Sequence, residues 1–263
     1  MQIDIENFSD LSKVIDMFSD DFFWNPIWKD SKAISEFDKY INLIEESKGW
    51  ERNRNHEKGK VLEDFAVFLF ERFLDSKVSK NRRPADNETD VEVILSEKER
   101  PTFMTDYMAP RMICECKNKK SSTIDVGMVA KLYELLGYRG SKFGVFISLN
   151  GISGYGWRFG EGKRKKILLR YEVPLISFKV DELRKLRNEG NFYSMIKEKV
   201  HRLFDEADDE MPDFPNHDHR ELPDRLNEMV EHFKKFNLIE ESEECKIRER
   251  ITVRYGLPSV EED

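Results

Sequence analysis

The sequence predicts an α/β domain: a mixed central sheet flanked by helices, with helical extensions at both ends. Three observations predict it. Residues 143–149, Phe-Gly-Val-Phe-Ile-Ser-Leu, form an unbroken run of strand length, as a strand covered on both faces requires. Residues 89–95 and 111–117 supply two further strand patterns, the first alternating through Val91, Val93 and Leu95. Helical periodicity lies before, between and after these runs, and strands interleaved with helices give layers around one sheet.

Taken in order, residues 1–55 read as helices, with Phe8, Leu11, Val14, Ile15 and Phe18, then Ile34, Phe37, Ile41 and Ile44, at steps of three and four. Three of the four tryptophans, Trp24, Trp28 and Trp50, lie here; they read as a Trp-rich interface or, as aromatics at helical spacing more often are, as core. A strong helix is expected over 58–77, with Leu62, Phe65, Phe68, Leu69 and Phe73 on its stripe, then a loop holding Arg82-Arg83-Pro84. Strand 89–95, a polar insertion over 96–110 and strand 111–117 follow. Residues 123–138 carry a helix through Val126, Val129, Ala130, Tyr133 and Leu136, with Gly137 and Gly140 at its exit. After strand 143–149, the glycine-rich stretch 151–162 reads as a loop that starts another helix. A short strand is expected over 173–178, with helices over 180–187 and 193–204. Residues 205–216, acidic with Pro212 and Pro215, read as a linker. Leu222, Leu226, Met229, Val230 and Phe233 mark an amphipathic helix beyond it. The expected division is therefore a helical extension (1–55), a central domain (56–204), and an acidic linker with a helical appendage (205–263).

Composition narrows the function. Hydrophobic residues at 39% and aromatics at 12% specify a folded chain of 263 residues. No run of about 18 apolar residues exists to span a membrane, and the first residues lack the pattern of a secretory signal. Three cysteines, two of them within one strand, argue against a disulfide framework and for a reducing compartment, so the cytoplasm is expected. The net charge of −8 is unevenly spread. Residues 111–170 hold thirteen Lys and Arg against four acids (Glu115, Asp125, Glu134, Glu161), a local excess of nine positive charges. Such a face suits phosphate. Within it, Lys163-Arg164-Lys165-Lys166 reads either as part of that face or as a solvated turn.

The chemistry concentrates at Ile113-Cys114-Glu115-Cys116-Lys117. Glu115 and Lys117, two apart on a strand, point to one side of the sheet, while Met112, Cys114 and Cys116 point to the other, into a core. Asp90 opens the preceding strand and Glu63 sits on the helix before it. Carboxylates gathered in a partly dry cleft repel one another unless a cation lies between them, and all-oxygen ligands suit Mg²⁺ or Mn²⁺. Asp90, Glu115 and the Cys116 carbonyl are the expected ligands, with Lys117 as a point charge at the reacting phosphate. Glu63 is an auxiliary acid. Asp86 competes with Asp90 if the strand begins earlier. Asn118, Lys119 and Lys120, continuing out of the strand, and Lys131, on the next helix, are expected to contact the nucleic-acid backbone.

Other constellations are weaker. Cys114 and Cys116 lack the further ligands of a zinc site. His217-Asp218-His219 reads as a polar turn. Gly-Ile-Ser-Gly-Tyr-Gly at 151–156 is not followed by the Lys-Ser/Thr of a nucleotide-phosphate loop.

The helix Lys58-Gly59-Lys60-Val61-Leu62-Glu63, the strand start Thr89-Asp90-Val91 and the triplet Glu115-Cys116-Lys117 resemble the PD-(D/E)xK nuclease superfamily. With the following helix and the strand ending in Ser148-Leu149-Asn150-Gly151, the pattern is similar to its type IV, Mrr-like restriction endonuclease branch. The resemblance covers residues 58–186. Thr89 stands where the motif has proline. It implies a restriction-endonuclease-like fold and metal-dependent hydrolysis of phosphodiester bonds, leaving a 5′-phosphate and a 3′-hydroxyl. Asp90 and Glu115 take the motif-acid positions, Lys117 the motif lysine and Glu63 the auxiliary acid. DNA is the expected substrate, with RNA left open, and restriction or anti-phage defence the expected use. Structure-specific repair or junction cleavage is the alternative within enzymes. A nuclease-like interaction subunit of a larger assembly, inactive alone, is the alternative outside them. A homodimer or a protein partner is expected through the terminal helices.

Overall fold

The computed structural model describes residues 8–82, 88–208, 215 and 217–256. The chain begins with α1 (Phe8–Asp16), the short α2 (Asp20–Phe23) and α3 (Ser31–Ser47), whose N-terminus is capped by the Asp30 carboxylate accepting from Lys32 N–H at 2.9 Å. Next comes α4 (Asn55–Phe70), with Leu62, Phe65, Ala66 and Leu69 fully buried.

This helix ends seven residues before the expected 77, and Phe73 lies beyond it. Long-range pairing explains the difference. Phe23 and Arg72 carbonyls accept from Leu74 and Asn25 N–H groups, so the backbone here bonds to the N-terminal segment instead of continuing the helix. The Ser76 hydroxyl donates to the freed Phe70 carbonyl at 3.0 Å. Trp24, fully buried, donates its indole N–H to Leu69 O at 2.9 Å.

The chain then enters β1 (Ser76–Arg82), where the sequence reading had the helix end and a loop. Only Val78 in this strand is apolar, so no alternation marks it; it is a polar edge strand, fixed by pairing with β2 (Thr89–Leu95). Residues 96–110 are less polar in effect than expected. A turn of π-helix at Met104–Met108 buries both methionines in the main core. β3 (Arg111–Lys117), α5 (Val126–Arg139), β4 (Phe143–Ser148), α6 (Phe159–Tyr171) and β5 (Leu175–Lys179) follow. The chain continues through α7 (Val180–Leu183), a 3₁₀ turn at Arg184–Arg187, and α8 (Phe192–Asp208), which runs into the expected linker. α9 (Leu222–Lys235) and α10 (Glu241–Tyr255) form a helical hairpin, where the sequence reading had marked one helix. Val230 and Ile251 are its buried residues beyond the first turn of α9.

The sheet runs in chain order, β1-β2-β3-β4-β5, antiparallel up to β3 and parallel from β3 to β5. It is the mixed sheet expected. Right-handed crossovers between neighbouring parallel strands put α5 and α6 on one face, over a core of Ile113, Val129, Leu132, Phe146 and Ile167. The other face carries α4 and α8 over Val91, Val93, Met112, Cys114, Val145 and Ile176. Ile15, Trp24, Phe37 and Ile44 from α1–α3 and the turns between them belong to that second core. The segment from α1 to α3 thus contributes to the sheet's own core.

Candidate active site

β2 and β3 pair in register from Ile94↔Arg111 to Val91↔Cys114. Directly opposed residues share a face, and one further step sets Asp90 opposite Glu115 on the α5 side. The strands part there. Asp90 Oδ2 accepts from the Cys116 N–H at 2.7 Å, taking the place of a ladder carbonyl. The N–H and C=O of one strand residue leave on the same edge, so the Cys116 carbonyl opens toward the same gap.

Burial is the first cause of this pair's electrostatics. It pushes Asp90 up to about 6, with the Glu63 charge adding, against the Cys116 N–H and Lys131, which hold it down. Burial and the Asp90 charge push Glu115 up to about 8, with Lys131 opposing. The Glu115 side chain is only 12% exposed, with Lys131 Nζ 4.0 Å from Oε2. Its other oxygen, Oε1, is enclosed and accepts no hydrogen bond among the described residues. A buried oxygen of this kind calls for a proton or a cation.

Lys117 shares this face but does not point at the acids. Its Nζ lies 2.9 Å from Met128 Sδ at the start of α5. Burial first, then Lys119, lowers its affinity for the proton, with Asp125 opposing. The cation nearest Glu115 is Lys131, which the sequence reading had assigned to the backbone of DNA. Met128 and Lys131, three apart on α5, occupy one helix face, and that spacing was a signal available in the sequence.

Glu63 comes from α4 on the opposite face of the sheet. Its Oε2 is 3.4 Å from Lys80 Nζ, which also donates to Asp64 Oδ1 at 2.6 Å. It therefore reaches Asp90 through its charge while its carboxylate is held by β1. Sequence reasoning missed Lys80 because it missed β1.

Asn118 requires a correction. Its Nδ2 donates to Ser47 Oγ at 3.0 Å and to Lys58 O at 2.8 Å, and the residue is buried. It ties the end of β3 to α3 and α4 and does not face nucleic acid. Lys119 and Lys120 are exposed. Asn150, not anticipated, donates its side-chain amide to both of their carbonyls at 2.9 Å and so fixes the loop that carries them. Asp86, the competing acid, lies outside the described residues.

The Cys114 and Cys116 thiols are both held well on the protonated side, Cys114 first by burial and Cys116 first by its contact with Cys114. They are core thiols. Among the described residues no three His, Cys, Asp or Glu side chains converge to hold a metal. The available donors are two carboxylates and a strand carbonyl. That set fits a hard divalent cation, which takes one or two carboxylates and completes its shell with water and phosphate oxygens.

A family model described as restriction endonuclease, Mrr_cat, matches residues 35–177, more than half of the chain. The chain belongs to the restriction endonuclease family. The match begins within α3, earlier than residue 58, and reaches β5, so it takes in Glu63, Asp90, Glu115, Lys117 and Lys131. No curated protein and no solved structure matches. The domain is accordingly a nuclease domain of the Mrr type, with DNA as its substrate, in a mixed α/β fold. No described helix is long and apolar enough to cross a membrane.

Proposed function

We propose that this protein is a divalent-metal-dependent DNA endonuclease that acts in the cytoplasm in restriction or anti-phage defence. The observation that carries the reading is the opposed pair Asp90–Glu115, largely shielded from water, mutually repelling and with Glu115 Oε1 lacking a donor among the described residues. Asp90, Glu115 and the Cys116 carbonyl would hold Mg²⁺ or Mn²⁺. Such an ion, when bound, supplies a Lewis acid that polarises the scissile phosphate and makes water a better nucleophile.

The remaining roles belong to the chain. Asp90 is oriented by the Cys116 N–H, so its free oxygen has a fixed direction. Lys131 offsets the charge of both acids. Lys117, partly dehydrated, keeps an amine that turns from Met128 toward the phosphate to stabilise its developing charge. Glu63 is the auxiliary acid, held by Lys80. Lys119 and Lys120 meet the DNA backbone from the loop that Asn150 braces.

The test is incubation of supercoiled plasmid with Mg²⁺, Mn²⁺ or EDTA, for the wild type, Glu115→Gln and Lys117→Ala. Nicking or linearisation by the wild type alone, abolished by EDTA, is expected. Cutting by Lys117→Ala at the wild-type rate would overturn the assignment.

The seating of Lys117 on Met128 favours one second reading, in which the isolated chain is inactive until a partner or second copy turns the lysine. Light scattering and Mg²⁺ calorimetry separate the two: a monomer without metal affinity supports the second.

A further inference from the structure

A cavity of about 270 Å³ lies beyond the carboxyl ends of β4 and β5, between α6 and α8. It sits near the lower end of small-molecule sites, roughly 300–1,000 Å³, and the ends of parallel strands are where α/β sheets take ligands. Its walls explain the basic run of α6. Arg164 and Lys165 turn inward, and Lys165, 1% exposed, is among the most deeply buried charged residues of the chain.

The charges of the cavity do not balance internally. Among the described residues, five Lys and Arg line it against three Glu. Glu161 is taken by Arg164 at 2.5 Å and Glu182 by Lys199 at 2.7 Å. Glu206 serves Lys165 at 3.5 Å and Arg164 at 3.8 Å. The Lys179 ammonium and the Arg202 guanidinium have no carboxylate partner among the described residues, although the Lys179 backbone N–H donates to Glu182 Oε2 at 2.8 Å. The wall also holds Ser177 Oγ, an enclosed hydroxyl without a hydrogen-bond partner among the described residues. At the rim, Gly151 has φ +78°, where a side chain would be strained, and the Lys179 stem lies 2.9 Å from where a Cβ would stand, so the chain passes close under that lysine. Two surplus cations match a phosphate monoester, which carries a charge of about −1.5 to −2 at neutral pH.

We propose that this cavity binds a phosphate group borne on a mononucleotide-sized ligand, with Lys165, Lys179 and Arg202 around the oxyanion and Ser177 Oγ donating to it. The phosphate comes either from a free nucleotide, as a monoester, or from the DNA backbone, whose diesters carry one negative charge each. The inference stands apart from the nuclease reading, because its readout is binding in EDTA.

The experiment is calorimetry on the full chain with deoxyadenosine monophosphate, inorganic phosphate and deoxyadenosine, alongside binding of a short duplex. Deoxyadenosine monophosphate should bind and deoxyadenosine should not. Arg202→Ala and Lys179→Ala should each weaken it by about fivefold to tenfold, as loss of one charge-assisted contact implies. Their thermal midpoints should stay at the wild-type value. Lys165→Met should abolish binding; the two surface variants keep the test valid if that one fails to fold. Duplex affinity unchanged in Arg202→Ala identifies a free ligand. Duplex affinity lowered in step, with the monophosphate competing, identifies the DNA backbone. Absence of binding by both phosphate probes at millimolar concentration with duplex affinity unaltered in Arg202→Ala, or equal binding by wild type and variants, would overturn the proposal.

Discussion

Replacing Glu115 by Gln should stabilise the metal-free protein at alkaline pH. Gln keeps the volume and the hydrogen-bonding capacity but removes the charge that burial and Asp90 oppose. The sign follows from linkage. Glu115 binds its proton more tightly folded than unfolded, with its folded value pushed up to about 8. The folded state therefore holds more protons, and the stability this group contributes is complete below its ordinary range near 4.5 and is lost as pH rises through about 8. Asp90 adds the same trend at lower pH, through about 6.

The magnitude at pH 8 has a ceiling of about 4 kcal/mol, from roughly 1.4 kcal/mol for each pH unit over which the extra proton is held. Water entry and relaxation reduce this, and about 2 kcal/mol is the working expectation. For a chain of this size that is about 4–8 °C in thermal midpoint. The assay is thermal unfolding in EDTA at several pH values from 5 to 9. The wild type should lose stability progressively from pH 5 to about 8 and level off above it, while Glu115→Gln stays nearly level beyond about pH 6. Added Mg²⁺ should then raise the wild-type midpoint at pH 8 and leave the variant unmoved. Parallel profiles, or a variant less stable than wild type at pH 8, would refute the account of a repelling pair with one unsatisfied Glu115 oxygen.

Lys117→Met should leave the midpoint within a few degrees, since the amine contacts a thioether, yet lower plasmid cleavage by at least about a hundredfold, as loss of a transition-state charge implies. Quantified gel kinetics with unfolding curves would check both halves. Asn118→Ala should destabilise the fold by about 1–3 kcal/mol, because Ser47 and the Lys58 carbonyl lose their buried donor. Its DNA affinity, measured by fluorescence anisotropy, should match wild type. The double variant Lys119→Ala/Lys120→Ala should weaken duplex binding and flatten its salt dependence by about two in the log–log slope. An unchanged slope would remove these lysines from the DNA surface.

The sequence by itself determined the strands at 89–95 and 111–117, because each carries a side-chain pattern that only a two-faced strand satisfies. It also determined that Glu115 and Lys117 share a face, since strand alternation is a property of the backbone. What it lacked was contact over distance. β1 has no pattern of its own and exists because β2 offers it an edge, and α4 stops at Phe70 because residues 23–25 capture the chain beyond it. For the same reason only the tertiary structure decided that Asn118 turns inward, that Lys80 holds Glu63 and that the basic run on α6 lines a cavity. Local periodicity fixes which side of an element a residue occupies, and the packing of separate elements fixes what that side chain meets there.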